Sequence, residues 1–146
     1  MLYYIYQRKG RNNMIRKATI KDYPKLYNLL ITKNISYIKT EQIFIDISNK
    51  ECYIIEQEGT IKAICSLVNC PEYHNHAIKR LCVFEERHGY GKTIIGYLIS
   101  QKVNSPIVCT PWEDNFIMRK ILEYYNFQLR YIFDYKWCLY ELHNRR

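Results

Sequence analysis

Residues 86–99, ERHGYGKTIIGYLI, decide the fold, because two glycines come directly before an apolar run with helical spacing. The segment ahead of them, residues 76–84 (HAIKRLCVF), has the composition of a strand. A strand that leads through a glycine turn into a helix leaves backbone N–H groups free at the helix N-terminus, where they attract an anion together with the helix dipole. The stretch therefore predicts a phosphate site.

Two common nucleotide-binding motifs do not fit this loop. A Gly-x-x-x-x-Gly-Lys-Ser/Thr loop needs glycine at the position of Glu86, because its backbone wraps closely around the phosphates. A Gly-x-Gly-x-x-Gly motif for dinucleotides needs glycine at the position of Ile94. We therefore expect a different phosphorylated compound at this site.

The rest of the chain alternates between strand and helix patterns. Thr19 and Asp22 have the spacing of a capping box at the first helix, Glu58-Gly59 predicts a hairpin turn, and Asp114 or Asn115 can cap the last helix. The predicted strands are residues 14–19, 51–57, 60–68, 76–84, 106–110, 127–133 and 136–142, and the predicted helices are residues 20–31, 41–47, 94–103 and 117–125. This order predicts a mixed α/β sheet covered by helices.

We expect one domain, residues 14–146, because 146 residues with 48% hydrophobic and 25% charged content suit a single globular unit. Residues 1–13, MLYYIYQRKGRNN, lie outside the alternating plan, and Met14 would make a sensible start. We therefore predict that residues 1–13 are a flexible and dispensable N-terminal extension. They do not have the pattern of a signal peptide, and the sequence contains no apolar run that approaches a membrane span.

Charge and cysteine content narrow the class of partner and the compartment. The net charge of +8 favours a polyanionic partner, either a phosphorylated cofactor or RNA, although a protein that is simply basic would look the same. The six cysteines form no Cys-x-x-Cys pair and four lie in apolar runs, which is typical of reduced thiols in a cytoplasmic protein. A zinc site from Cys70, His74 and His76 has no evident fourth ligand, so we expect no metal.

Residues 81–93, LCVFEERHGYGKT, resemble motif A of the GNAT superfamily of acetyl-CoA-dependent N-acetyltransferases. In that motif a Leu-x-Val strand runs into Arg/Gln-x-x-Gly-x-Gly/Ala and a helix. Here His88 stands where Arg or Gln is usual, Gly91 matches the central glycine, and Thr93 replaces the last Gly/Ala. The anion contacts of this loop come mainly from the backbone, so the motif can tolerate both departures.

A second match lies downstream of motif A. In many GNAT proteins the helix after the fifth strand begins with Asn and ends in Gly-Phe twelve residues later. Asn115 and Phe127 have this spacing, and Asn126 replaces the glycine. Asparagine is the next-best residue at a left-handed helix end. The order of elements from Met14 to about Leu142 also fits, so the resemblance covers nearly the whole chain.

The resemblance implies a mixed, mostly antiparallel sheet of six to seven strands with about four helices. Its fourth and fifth strands, residues 76–84 and 106–110, would splay apart and hold acetyl-CoA between them. The pantetheine arm would pair with the backbone of the fourth strand, and the pyrophosphate would rest on the glycine loop. The residues that the resemblance assigns to the cofactor are Cys82, Val83, Phe84, His88, Gly89, Tyr90, Gly91, Lys92, Thr93 and Asn115.

Catalytic groups are harder to assign by this resemblance. The family often supplies an acid from a tyrosine seven residues after the Asn, a position that Leu122 occupies here. Some relatives place a base on the fourth strand where this chain has Ala77 and Lys79. We name His76 as the leading base because imidazole titrates near neutral pH, although it needs a bulge to face the same side as Val83. Other candidates are His74, Glu72, Glu113 and a chain of water molecules.

These observations predict an N-acetyltransferase that acts on a primary amine of a small molecule, a protein or an aminoacyl-tRNA, by direct attack in a ternary complex. A rival is a degenerate GNAT-fold protein that binds CoA or a partner without turnover, and a third hypothesis is a basic RNA-binding module. We expect a monomer or homodimer with no membrane partner. The aromatic residues of the terminal hairpin could form a dimer edge, but we predict that they lie in the core: Tyr131, Phe133, Trp137 and Tyr140.

Overall fold

The fold is one mixed sheet with two helices on each face. The structure, a computed structural model, describes residues 4–8, 11–101, 103–134 and 136–143. The strands are β1 (Tyr4–Arg8), β2 (Arg11–Lys17), β3 (Cys52–Gln57), β4 (Thr60–Cys70), β5 (Asn75–Val83), β6 (Ile107–Cys109), β7 (Gln128–Phe133) and β8 (Trp137–Leu142). The helices are α1 (Tyr23–Thr32), α2 (Thr40–Ser48), α3 (Tyr90–Ser100) and α4 (Phe116–Tyr124), with short 3-10 turns at Ile20–Asp22 and Pro71–Tyr73.

The sheet has the order β1-β2-β3-β4-β5-β6-β8-β7, and every neighbouring pair is antiparallel except β5 and β6. This confirms the predicted mixed, mostly antiparallel sheet with four helices. Seven of the eight strands correspond to predicted strands, and the predicted fourth and fifth strands are β5 and β6. The additional strand, β1, pairs with β2.

The predicted extension, residues 1–13, contains β1 and the start of β2. Residues 1–3, 9 and 10 of this segment lie outside the described residues. The domain boundary at Met14 and the flexibility of the extension stay predictions.

Short-range signals fix several element ends. The N–H of Thr19 donates to Asp22 Oδ2 at 2.7 Å, which confirms the predicted capping box. Asn115 caps α4, because its Oδ1 accepts from the N–H of Met118 at 3.2 Å. Asn126, with φ +67°, takes the left-handed conformation just after α4. The turn between β3 and β4 has positive φ at both Glu58 and Gly59, as a two-residue hairpin requires.

Two apolar cores lie on opposite faces of the sheet. One core packs under α3 and α4, with Ile94, Leu98 and Leu122 among its members. The other packs under α1 and α2, with Leu26 and Ile43 among its members. All six cysteines are free thiols and five of them are buried, as expected.

The predicted burial of the terminal hairpin is wrong for three of its four aromatic residues. Tyr131 is 58% exposed, Phe133 43% and Trp137 39%, whereas Tyr140 is fully buried. For Tyr131 and Phe133 the reason is the strand order: β7 is the last strand of the sheet in the described chain, and all six of its residues are exposed. Trp137, at the start of β8, stacks on Trp112 instead. Only β8, which pairs with β6 on its inner side, carries a tyrosine into the core.

Candidate functional site

The sheet opens between β5 and β6. These two strands pair at only two positions, His76 with Ile107 and Ala77 with Val108. β5 then continues to Val83, whereas β6 ends at Cys109. The two strands therefore separate beyond Ala77, and we call the space between them the cleft. It lies where the sequence predicted that the fourth and fifth strands would splay.

The N-terminus of α3 provides an anion site next to this cleft. Gly89 is the N-cap, and its φ of +74° is a left-handed conformation that glycine adopts without strain. The N–H groups of Tyr90, Gly91 and Lys92 have no acceptor within the helix, because they belong to its first turn. The N–H of Thr93 differs, since it donates to Gly89 O at 3.0 Å. A contact of Thr93 with an anion would therefore use its hydroxyl group, and the assignment of Thr93 to the cofactor stays a prediction.

Gly91, in the anion site, lies close to β5, the strand that borders the cleft. A Cβ atom built on Gly91 would lie 3.6 Å from Val83 Cγ2 on β5 and 3.6 Å from Ile121 Cδ1 on α4. Its neighbour Tyr90 is anchored, because the buried ring donates its hydroxyl to Gln57 Oε1 at 2.6 Å. The start of α3 is thus fixed against β3 and lies directly beside β5.

Two side chains next to this helix start, His88 and Lys92, have partners within the chain. His88 Nε2 lies 3.1 Å from Glu85 Oε1, and Lys62 pairs with the other oxygen of the same carboxylate. The ammonium group of Lys92 lies 3.6 Å from the centre of the Tyr124 ring, a cation–π contact. Lys92 is thereby held at the α3–α4 junction, one helical turn or less from the free N–H groups.

The backbone of β5 offers hydrogen-bonding groups to the cleft at alternate residues. The N–H of Phe84 donates to Lys62 O at 2.8 Å, so Phe84 faces β4. Because the direction of the backbone groups alternates along an antiparallel strand, Val83 faces the cleft and Cys82 faces β4 again. Of the three residues whose backbone was predicted to pair with the pantetheine arm, Cys82, Val83 and Phe84, it is Val83 whose backbone groups face the cleft.

A bulge in β5 decides which side chains share a face. Ile64 lies opposite Cys82 and Ser66 lies opposite Lys79, so β5 has one residue more than β4 in this interval. Arg80, inside it, has φ +56°. Opposed residues in an antiparallel pair point to the same face, and the register continues with His76 opposite Asn69 and Val83 opposite Ala63. Residues 63 and 69 share a face of β4 because they are an even number of positions apart.

His76 therefore lies on the same face as Val83. The two residues are an odd number of positions apart, so they share a face only because the bulge lies between them. Its ring Nδ1 lies 2.6 Å from Ser105 Oγ, and its backbone N–H donates to Pro106 O at 3.0 Å. The side chain is partly buried at the closed end of the cleft. Nothing in the local sequence around Ser105 indicates this contact, since the two residues are 29 positions apart.

The positions where relatives place a base or an acid have other roles here. Ala77 is buried and Lys79 is exposed, and both point to the opposite face from His76. Leu122, an aliphatic residue without a hydroxyl group, is fully buried in the core under α3 and α4. Tyr125 donates its hydroxyl to Lys92 O at 2.7 Å and thus ties α4 to α3.

The other named candidates are dispersed over the surface. Glu72 and His74 are exposed in the connection before β5, and Glu113 lies partly exposed ahead of α4, where its carbonyl accepts from Arg119. Asn115 is exposed at the start of α4, and its capping oxygen is already occupied by the N–H of Met118. The structure places Val83 against the loop at Gly91, whereas His76 lies seven positions earlier on the same face of β5, at the closed end of the cleft.

Each strand beside the cleft carries a buried cysteine, Cys82 on β5 and Cys109 on β6, and neither thiol is activated. Burial raises the pKa of the Cys82 thiol, and it raises the pKa of Cys109 to about 12. Both thiols therefore stay protonated at neutral pH, where the thiol is a poor nucleophile. Among the described residues, no cluster of three or more His, Cys, Asp or Glu side chains is arranged to hold a metal ion. No helix in the described ranges is long and apolar enough to cross a membrane.

Comparison with solved structures identifies the fold. A GNAT-family acetyltransferase from Bacillus cereus ATCC 10987 superposes with a TM-score of 0.74 at 18% sequence identity, over 92% of this chain and 99% of the other. The diaminobutyrate acetyltransferase EctA from Paenibacillus lautus, in complex with L-2,4-diaminobutyric acid and coenzyme A, gives a TM-score of 0.70 at 17% identity, over 92% and 96%.

A third similar structure is the ribosomal-protein-S18-alanine N-acetyltransferase from Escherichia coli, with a TM-score of 0.75 at 13% identity, over 90% of this chain and 93% of the other. No protein-family model and no curated protein sequence matches the chain. At these identities the comparison shows the fold, which is that of the GNAT acetyltransferases. The fold that the resemblance implied is thereby confirmed.

Proposed function

Because the chain has the fold of the GNAT acetyltransferases, we propose that it is an N-acetyltransferase that transfers the acetyl group of acetyl-CoA to a primary amine. The observation that carries this proposal is the junction of the cleft with the free N–H groups of Tyr90, Gly91 and Lys92, since Gly91 lies directly against Val83. One ligand with an amide-rich arm and a pyrophosphate would use both surfaces at once.

The residues present suit acetyl-CoA. The cleft-facing backbone of Val83 would pair with the pantetheine arm as an added strand does. The first-turn N–H groups of α3, with the helix dipole, would hold the pyrophosphate, and Lys92 would add a positive charge beside it. The CoA-bound neighbour from Paenibacillus lautus supports this assignment, because it has the same fold.

The reaction would be a direct attack in a ternary complex. The amine nitrogen bonds to the acetyl carbonyl carbon, the carbon–sulfur bond breaks, and CoA leaves as the thiolate. His76 would accept the proton that the amine loses, with Ser105 fixing the ring through Nδ1 so that Nε2 is directed to the proton. The protonated state of the Cys82 and Cys109 thiols argues against an acetyl-cysteine intermediate.

The acceptor would carry a primary amine on a small molecule, a protein or an aminoacyl-tRNA. The fold accommodates the first two classes, since one neighbour acetylates diaminobutyrate and another the alanine of a ribosomal protein. The net charge of +8 supports an RNA-linked acceptor, because phosphate contacts supply most sequence-independent affinity. Binding to tRNA that weakens steeply with salt would support this class, and absent or salt-independent binding would remove it. The free thiols favour a cytoplasmic location.

The test of the cofactor is the shift in melting temperature with acetyl-CoA, using Mg-ATP and NAD as control ligands. Acetyl-CoA at about a hundred times its dissociation constant should stabilise the fold by about 2.7 kcal/mol, which is several degrees for a chain of this length. We expect Lys92→Glu to weaken the shift, because a carboxylate beside the free N–H groups repels the pyrophosphate.

Lys25→Glu is the matched control, since Lys25 is the third residue of α1 as Lys92 is the third residue of α3. Both substitutions change the net charge equally and place a carboxylate in the first turn of a helix, where the dipole favours it. A shift that Lys92→Glu loses and Lys25→Glu keeps would support the cofactor site. No shift in the natural protein would contradict the proposal.

The alternative is a GNAT-fold protein that binds CoA without turnover. The observation that favours it is Leu122, a buried aliphatic residue where the family often has its acid. Release of free thiol from acetyl-CoA over a panel of amines separates the two functions. Thiol release that depends on an amine supports the enzyme, whereas a thermal shift without amine-dependent release supports the binding protein.

A further inference from the structure

The bulge of β5 is held in a conformation that its residue type does not favour. Arg80 has φ +56°, a left-handed value that is common for glycine and uncommon for a long side chain. Such a conformation persists only where the surrounding contacts enforce it. Bulges redirect the strand and the side chains that follow them. The contacts of Arg80 therefore determine how β5 continues along the cleft.

Those contacts come from a buried carboxylate on α2. Arg80 Nε donates to Asp46 Oδ2 at 2.5 Å, and Arg80 Nη2 donates to Asp46 Oδ1 at 2.9 Å. Ser66 on β4 donates its hydroxyl to the same Oδ2 at 2.6 Å. Asp46 is 1% exposed and Ser66 is fully buried. Three elements, α2, β4 and β5, thus meet in one bidentate ion pair with a supporting hydroxyl group.

The ion pair lies between two parts of β5, the part that pairs with β6 and the part whose backbone faces the cleft. Pairing with β6 ends at Ala77, and the cleft-facing backbone of Val83 follows the bulge by three residues. The helix α3, with the anion site, begins seven residues after Val83. A change of direction at Arg80 would move the backbone of Val83 and would alter its distance from Gly91.

We propose that Asp46 is a positioning residue that, through Arg80, holds the β5 bulge and so aligns the cleft-facing backbone with the anion site of α3. Asp46 does not touch the ligand. It fixes the strand edge on which the pantetheine arm lies, so the proposal rests on the proposed binding of acetyl-CoA.

The test compares two aspartates that make the same kind of contact. Asp46→Asn removes the carboxylate that holds the bulge, and Asp22→Asn removes the carboxylate that binds Arg16 of β2 with two hydrogen bonds of 2.8 Å, ahead of α1. Both carboxylates are buried and both pairs are bidentate, so both variants lose stability. Ser66→Ala is a milder variant that removes one hydrogen bond from Asp46 and leaves the ion pair.

Affinity for CoA is measured by titration calorimetry at a temperature where every variant is folded, and kcat/KM for acetyl-CoA is measured alongside. We expect Asp46→Asn to weaken CoA binding and lower kcat/KM by about tenfold to a hundredfold, because a small misplacement of a binding surface has effects of that order. Ser66→Ala should have a smaller effect in the same direction. Asp22→Asn should change both quantities by less than about twofold.

Rescue distinguishes positioning from a general loss of stability. Glycine adopts a φ of +56° without strain, so the double variant Asp46→Asn/Arg80→Gly should recover part of the affinity that Asp46→Asn loses, although the ion pair is gone. Hydrogen exchange of the free protein adds a readout without ligand. The Cys82 and Phe84 amides, which face β4, should exchange faster in Asp46→Asn than in Asp22→Asn at equal stability.

If the natural protein does not bind CoA, the proposed function fails, and hydrogen exchange alone decides whether Asp46 holds the bulge. If the natural protein binds CoA and Asp46→Asn binds it as tightly as Asp22→Asn does, the positioning role is overturned while the proposed function stands. Equal exchange rates in the two variants would overturn the positioning role in either case.

Discussion

A side chain on Gly96 would collide with the ring of Tyr125, because a Cβ atom built on this glycine falls against the Tyr125 hydroxyl and 2.9 Å from its Cζ. Tyr125 lies just after α4 and donates its hydroxyl to Lys92 O in the first turn of α3, at 2.7 Å. The close approach of the ring over Gly96 therefore connects the end of α4 with the helix whose N-terminus forms the anion site.

Gly96→Ala should lower the free energy of unfolding by about 1–3 kcal/mol, the range for overpacked sites. Alanine favours a helix over glycine by about 1 kcal/mol, so propensity alone would give the opposite sign. Urea denaturation of Gly96→Ala, Tyr125→Phe and the double variant measures the effect. The loss from Gly96→Ala should be smaller in the Tyr125→Phe background, since the hydroxyl is gone, and a stabilising Gly96→Ala would contradict the contact.

The end of α4 provides a second prediction on stability. Asn126 has φ +67°, where residues other than Gly and Asn are strained. Asn126→Ala should lower the free energy of unfolding by about 1 kcal/mol, whereas Asn126→Gly should change it by less than about 0.5 kcal/mol. Asn49→Ala is the control in urea denaturation, because Asn49 also follows a helix but has φ −85°. Equal losses at the two positions would show that backbone strain is not the cause.

Local signals could be read from the sequence because each depends on a few neighbouring residues. The capping box of Thr19 and Asp22, the cap at Asn115 and the left-handed Asn126 are all recognised by residue type and spacing. The start of α3 was predicted less well. The helix begins at Tyr90 rather than near Ile94, because its first turn carries a glycine and a lysine that do not show the apolar period.

The arrangement of the candidate site depends on contacts between residues that are distant in the sequence. The bulge at Arg80 has no glycine to mark it, and it is held by Asp46, 34 positions earlier. The same bulge turns His76 to the face of Val83, where Ser105 meets it from another connection. A regular strand would place His76 on the other face. Sequence periodicity therefore predicts the strand but not which of its side chains can act together.

The ion pair of Arg16 with Asp22 should make stability depend on pH in acid. The two hydrogen bonds from Arg16 hold the pKa of Asp22 below its ordinary value. Because the folded-state pKa is lowered, the pair stabilises the protein above the unfolded-state pKa of about 3.9 and loses this contribution as the pH falls through the folded-state value. The contribution of this pair to the free energy of unfolding should be constant near neutral pH and should fall below about pH 4.

Asp22→Asn isolates this contribution. It should lower the free energy of unfolding at pH 7 by about 3 kcal/mol, the lower end for a broken buried pair, since Glu56 remains beside Arg16. The difference between the natural protein and Asp22→Asn, measured by urea denaturation from pH 3 to 8, should shrink in acid. A difference that stays constant down to pH 3 would show that the Asp22 carboxylate does not titrate in this way.

His76→Asn tests the base of the proposed reaction. The variant should lower kcat/KM for the amine by about a hundredfold or more, the usual contribution of a general base. Its remaining activity should rise with pH, because a larger fraction of the amine is then neutral without help from the protein. His74→Asn is the control, since His74 is exposed two residues earlier and has φ +56°, which asparagine tolerates. Steady-state rates from pH 6 to 9 compare the two variants. Ser105→Ala should show a weaker form of the His76→Asn effect. If the rates of both histidine variants match those of the natural protein, His76 is not the base, and Ser105→Ala should then have no effect either.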